Sequence, residues 1–196
     1  MSSVVSLVEF KDRYRSPTLV LVDLHEATTG KGSHIDAPAL SQALANCRAA
    51  LVHARATGLP VAFARRVAYE SSPWVAQRYP VWLDGFEPKR SDMVFDRPGP
   101  SCYASPEFAD MMHYTSGNYV IAGLFAETSC LSTVVDAHHR NHRTTYLMDA
   151  SASRAHDDIS AADMHNAVHN IVSLYGTVVS TKAWIRMTSL KIGAKK

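Results

Sequence analysis

Asn118-Tyr-Val-Ile-Ala-Gly-Leu-Phe-Ala-Glu-Thr-Ser-Cys-Leu-Ser-Thr-Val-Val-Asp-Ala137 is the stretch whose reading decides the fold of this chain. Tyr119 to Ala122 is a short apolar, β-rich run closed by Gly123, the composition of a strand buried on both faces of a parallel sheet. Further on, Cys130, Val134 and Ala137 recur at helical spacing and form one apolar stripe with Leu131 and Val135. Between the two lies a tight turn holding Ala126, Glu127, Thr128 and Ser129. Where a strand's carboxyl end runs straight into a helix amino end, backbone N–H groups are free and the dipole favours negative charge. α/β proteins place chemistry there. A nucleophile at Ser129 or Cys130 would have its anion, and any oxyanion it creates, stabilised at that spot.

Working outward, Thr18 to Val22 is a second continuous apolar run, and it ends in Asp23. A carboxylate at the end of a buried strand is costly unless it is solvated, paired or in use. A helix follows from Pro38 to Ala56, capped by Asp36, striped by Leu40, Leu44, Cys47 and Leu51, and closed by Gly58. Pro60 to Ala64, Met93 to Phe95, Arg143 to Met148 and Thr177 to Ser180 read as further strands. Ser160 caps another helix, whose stripe is Met164, Val168, Ile171, Val172 and Tyr175, with Gly176 as its stop. Strands alternating with helices argue for a parallel sheet covered on both faces. The excursion from Val67 to Arg90, with Trp74, Tyr79, Trp82 and Phe86, reads either as a lid or oligomer surface or as a satellite hydrophobic cluster.

The 196 residues, 46% of them hydrophobic, suit one domain spanning 1–196. A net charge of +2 with interspersed signs points to neither nucleic acid nor an anionic membrane as partner. No apolar run approaches the roughly 20 residues of a membrane span, and no charged-then-apolar leader pattern opens the sequence. Three cysteines, Cys47, Cys102 and Cys130, are odd in number and unrelated in spacing, which fits reduced thiols in a cytoplasmic setting. The closing Lys-Ile-Gly-Ala-Lys-Lys reads as a solvated basic tail.

The central stretch resembles the isochorismatase-like hydrolases, also called the cysteine hydrolase family, which includes nicotinamidases, carbamoylsarcosine amidases and isochorismatases. Their pattern is Gly, five variable residues, the nucleophile, Thr four residues later, then Asp-Ala or Glu-Ala. Laid down without a gap, Gly123, Thr133, Asp136 and Ala137 fall into place and the nucleophile position is Ser129. Choosing Cys130 would break the match, and Cys130 lies on the apolar stripe, so it reads as packing. The family's catalytic Lys falls a residue or two past the third strand, before a Ser-x-aromatic element. Ser101-Cys102-Tyr103 fits that element, and Arg97 then stands at the Lys position. The family's general base after the first strand is Asp23, with His25 where members often carry Gln. Cys102, on a loop, reads as packing.

The resemblance implies a three-layer α/β/α domain with a parallel six-stranded sheet of order 3-2-1-4-5-6, a Rossmann-like hydrolase fold. Asp23, Arg97 and Ser129 would be catalytic, as base, substrate-positioning cation and nucleophile position, with Ala126, Phe125, His25 and Tyr103 lining the substrate and oxyanion site. It further implies a cis peptide at Phe125–Ala126 that aims the N–H groups of Ala126 and Ser129 at a substrate oxygen. No cofactor is expected. No metal is expected either: nicotinamidase relatives bind one through Asp and several His, but here no histidine occurs between His53 and His113. His138 with His142, and His165 with His169, have the i, i+4 spacing of metal ligands but no accompanying carboxylate or Cys. The expected activity is hydrolysis of a small amide, ureide or ester. Alternatives are enol-ether hydrolysis without a covalent intermediate and a catalytically silent ligand- or partner-binding member. A homo-oligomer, dimer or larger, is expected.

Overall fold

The computed structural model describes residues 16–29, 34–67, 79–115 and 117–193. Its strands are β1 (Thr18–Val22), β2 (Val61–Arg66), β3 (Met93–Arg97), β4 (Asn118–Leu124), β5 (Arg143–Ala152) and β6 (Thr177–Val179). All pair in parallel, in the order β3-β2-β1-β4-β5-β6. Because successive strand side chains point to opposite faces, the apolar runs divide between two cores. Leu19 and Leu21 of β1, and Val120, Ala122 and Leu124 of β4, enter one. Val20, Val22, Tyr119 and Ile121 enter the other.

The first core is closed by α1 (Ala37–Ala56), through Cys47 and Leu51, and by α5 (Thr181–Gly193), through Trp184. The second is closed by α2 (Pro106–Tyr114), α3 (Leu131–His139) and α4 (Ala161–Val172), through Phe108, Met112, Val134, Ala137, Val168 and Val172. These are the three layers and the strand order that the resemblance implied. Strand order reverses between β1 and β4, which opens a crevice at their carboxyl ends.

Several elements run further than the sequence alone indicated. β3 extends to Arg97, and β5 extends to Ala152 through an irregularity in its pairing with β4. Ile121 faces Tyr146 but Gly123 faces Ser151, so β5 carries extra residues there. α1 and the start of α5 anchor that bulge. Asn46 Nδ2 donates to the Asp149 carbonyl at 2.6 Å, the Cys47 thiol to the Ala150 carbonyl at 3.0 Å, and Thr181 N–H to Asp149 Oδ1 at 2.7 Å. Two helices, α2 and α5, were not anticipated. α5 continues through Lys191, Ile192 and Gly193, so half of the expected basic tail is helical.

Gly123 shows how closely β4 packs against β1. Its φ is +138°, and a Cβ there would sit 2.1 Å from the Val22 carbonyl oxygen, so only glycine lets β4 approach β1 this closely. In the excursion after β2, Trp74 lies outside the described residues. Trp82 pairs by an antiparallel bridge with His25, and Phe86 is buried in the first core. Among the described residues no helix is long and apolar enough to cross a membrane.

Candidate active site

Asp23 follows β1, Arg97 ends β3, and Ser129 lies in the turn after β4, so three residues far apart in sequence meet at neighbouring strand ends. All three are buried, with exposures of 1%, 0% and 2%. The Ser129 hydroxyl donates to Asp23 Oδ2 at 2.6 Å. Arg97 Nη2 donates to the same carboxylate oxygen at 2.5 Å and to Ser129 Oγ at 3.1 Å. Asp23 Oδ1 accepts the Arg66 backbone N–H at 3.0 Å, a contact with no sequence signature.

Arg97 is held as firmly from behind. Its Nη1 donates to the carbonyls of Gly99 and Pro100. Both terminal nitrogens are therefore committed within the chain, and only Nε lacks an acceptor among the described residues. The fork clamps Asp23 and Ser129 and has no terminal donor left for a substrate. For the terminal nitrogens, this corrects the expectation that Arg97 positions substrate.

Burial works to push the Asp23 carboxyl up, but it is outweighed. The His25 ring, with Nε2 3.7 Å from Oδ1, the Arg97 charge, the Ser129 hydroxyl and the Arg66 N–H together hold Asp23 below the usual carboxylate range. At 3.7 Å the ring is a close neighbour rather than a hydrogen-bond donor, so Arg97 and Ser129 are the firmer causes. A depressed native value means that the unfolded chain takes up the proton first on acidification. The Asp23 contribution to stability is thus complete above about pH 4 and is lost as pH falls through the native value. Urea midpoints measured from pH 5 to pH 3 are expected to fall more steeply for the wild type than for Asp23→Asn; equal slopes would show that Asp23 is not held ionised.

The Ser129 turn, Ala126–Cys130, is a single π turn leading directly into α3; the Leu131 N–H reaches back five residues to the Ala126 carbonyl. Such turns recur at functional sites. Thr133, four residues after Ser129, ties this turn to the loop that follows Arg97. Its hydroxyl donates to the Ser129 carbonyl at 2.7 Å and accepts the Cys102 N–H at 2.9 Å. That is a physical reason for a Thr at this spacing.

Several sequence expectations are corrected here. The Phe125–Ala126 peptide is trans. The chain instead reverses through Phe125, whose φ of 56° places a bulky residue in the left-handed region. Asp23 is left-handed too, with φ also 56°. The Ser129 N–H donates to the Phe125 carbonyl at 2.7 Å and is not free for a substrate oxygen. Ala126 begins the helical run, where first-turn N–H groups lack intrahelical acceptors. The half-buried Phe125 ring lies under the Arg154 guanidinium, 4.3 Å from its carbon, and Arg154 pairs with Glu127 at 2.7 Å. Tyr103 does not join the site. Its hydroxyl bonds His142 Nδ1 at 2.6 Å and its ring packs edge-on against Phe108, towards the amino ends of the strands.

All three thiols are buried. Burial pushes Cys102 up to about 11, and it pushes Cys47 and Cys130 well above the ordinary thiol value too. Among the described residues no group of three or more His, Cys, Asp or Glu is arranged to hold a metal ion. His165 bridges the Met148 carbonyl and the Ser153 hydroxyl, each at 3.0 Å, and so fastens α4 to β5.

The solved structures that this chain resembles share its architecture. A cysteine hydrolase from Pseudomonas syringae superposes with a TM-score of 0.79 at 17% identity, covering 94% of this chain and 95% of that one. An isochorismatase from Pseudomonas putida gives 0.72 at 21% identity, covering 87% and 90%. N-carbamoylsarcosine amidase from Thermoplasma acidophilum gives 0.65 at 22% identity, covering 85% and 96%. No curated protein matches the sequence. The sequence model of the isochorismatase domain matches residues 17–183, which spans every strand and the whole Asp23, Arg97 and Ser129 cluster. The chain therefore belongs to the isochorismatase family of hydrolases.

Proposed function

We propose that this protein hydrolyses a small amide, ureide or ester through a covalent acyl intermediate on Ser129. The observation that carries the reading is the 2.6 Å hydrogen bond from the Ser129 hydroxyl to Asp23 Oδ2, made at the mouth of a helix. As Oγ attacks the substrate carbonyl, its proton passes to Asp23, and the carbonyl electrons move onto oxygen. The Ala126 N–H and the positive end of the Ala126–His139 helical run face charge of that sign. Collapse expels the amine or alcohol, which takes the proton back from Asp23. Water then attacks the acyl-serine by the same route, with Asp23 as base. Arg97 keeps the carboxylate and the hydroxyl in register.

The enol-ether alternative needs Asp23 already protonated when the substrate arrives, and a carboxyl held below its usual range rests ionised at neutral pH. The likeness to a carbamoylsarcosine amidase supports the amide and ureide classes within the family. The reading is tested by incubating the purified protein with small amides, ureides and activated esters and following product and intact mass. An adduct on Ser129 is expected, with turnover abolished in Asp23→Asn. Turnover that survives Asp23→Asn would remove the proposed base.

A further inference from the structure

Asp23 reaches Ser129 and Arg97 from an uncommon backbone. Its φ of 56° lies in the left-handed region, which Asp enters more readily than most residues but which its surroundings must still support. The Asp23 N–H donates to the Ala64 carbonyl at 2.8 Å, and the Thr28 hydroxyl donates to the Asp23 carbonyl at 2.8 Å. Just past this turn, Leu24 to Glu26 runs antiparallel to Val81 to Leu83. The Leu83 N–H donates to Leu24 O at 3.1 Å, the Glu26 N–H donates to Val81 O at 2.8 Å, and His25 bridges Trp82.

So short a ribbon does not hold itself. Arg65, at the end of β2, fastens it. Its guanidinium carbon lies 4.7 Å from the centre of the Tyr79 ring and 4.8 Å from that of Trp82, and its Nη1 donates to the Pro80 carbonyl at 3.1 Å. Its Nε donates to Asp96 Oδ1 at 2.6 Å, so β3 neutralises the cation beside Arg97. The backbone on either side of Arg65 touches Asp23 as well: Ala64 O accepts the Asp23 N–H, and the Arg66 N–H donates to Asp23 Oδ1. A planar guanidinium can stack on rings and donate from its edge at once, whereas a compact ammonium cannot.

We propose that Arg65 is a positioning residue for Asp23: by stacking on Tyr79 and Trp82 and holding the Pro80 carbonyl, it pins the 81–83 segment against Leu24 to Glu26 and keeps Asp23 in the left-handed turn from which its carboxylate meets Ser129 and Arg97. This rests on the reading of Asp23 as the base. One-bond Cα–Hα couplings of carbon-labelled protein report the sign of φ at Asp23, whose signal is identified by its loss in Asp23→Asn. In Arg65→Met that coupling should leave the positive-φ value. Arg65→Lys keeps the charge but neither the two-ring stack nor the fork, so it should move the coupling the same way. Arg55→Met, which removes another part-buried ion pair, with Asp92 near the amino end of β2, should leave Asp23 unchanged. On any substrate the wild type hydrolyses, kcat of Arg65→Met should fall about tenfold or more, with KM moving less. Thermal unfolding establishes which variants are folded, and should Arg65→Met not fold, Arg65→Lys carries the test.

An unchanged Asp23 coupling in Arg65→Met or Arg65→Lys overturns the inference. So does an equal change in Arg55→Met, or a rise in KM with kcat unmoved. Should the coupling move as expected while the wild type turns over no amide or ester, the hydrolytic reading fails and Arg65 still sets the geometry of Asp23.

Discussion

Replacing Asp23 with Ala is expected to lower the free energy of unfolding by about 3–5 kcal/mol, and Arg97→Met by a similar amount. Each change strands the partner as an uncompensated charge. Arg97 is 0% exposed, so water cannot replace the carboxylate, and the Gly99 and Pro100 carbonyls answer its hydrogen bonds but not its charge. Asp23 without Arg97 would keep the Arg66 N–H and the Ser129 hydroxyl, which satisfy lone pairs but carry no net charge. Removing both partners is a different matter. A buried ion pair exchanged for apolar groups is often close to neutral, so Asp23→Ala with Arg97→Met should be less destabilised than the sum of the single changes. The coupling should approach the upper end of the range for contacting residues, about 2–3 kcal/mol. Urea unfolding of the four proteins measures it. Single variants within about 1 kcal/mol of the wild type would mean that the pair is hydrated, and the site as described would be wrong.

The parts of this architecture that were legible in the sequence are those set by local pattern. β1 and β4 are buried on both faces, and their unbroken apolar runs show it. The burial of Cys47 and Cys130 followed from helical stripes in the same way. What escaped was mostly made by distant partners. The extra residues of β5 are stabilised by Asn46, Cys47 and Thr181, which no local window contains. α2 is short and buries only Phe108 and Met112, too few to show a period, although Ser105 followed by Pro106 was a readable start signal.

At the site, the identity of the meeting residues and their geometry separate along the same line. Asp23, Arg97 and Ser129 could be nominated from a resemblance at three strand ends. That Arg97 spends its fork inside the chain depends on a Pro-Gly-Pro loop folding its carbonyls back, which spacing does not encode. Phe125 is the harder case. A bulky aromatic residue has no preference for φ of 56°, so the reversal there is imposed by its surroundings, with strain of order 1–3 kcal/mol. The resemblance instead placed a cis bond at the following peptide. Both devices reverse the chain between a strand and a helix, and residue spacing does not distinguish them.

Ser129→Ala is expected to lower kcat by at least about 10³-fold on any substrate the wild type hydrolyses, since loss of a nucleophile in a comparable triad costs up to about 10⁶-fold. Ser129→Cys sharpens the test. A thiolate is far more nucleophilic than a serine hydroxyl at neutral pH, and Arg97 Nη2, 3.1 Å from the present Oγ, would favour the anion. Asp23, bonded to that same Oγ, would oppose it. The variant should therefore be active, and its new thiol should react with iodoacetamide. The native thiols should not. Burial pushes Cys102 up to about 11 and Cys130 well above the ordinary thiol value, and both are fully buried. Intact mass after a brief exposure should show one adduct on Ser129→Cys and none on the wild type. Rapid labelling of Cys130 in the wild type would show that its thiol, and not the Ser129 hydroxyl, faces the cleft. Undiminished turnover in Ser129→Ala would remove the covalent step and leave Asp23 acting on water.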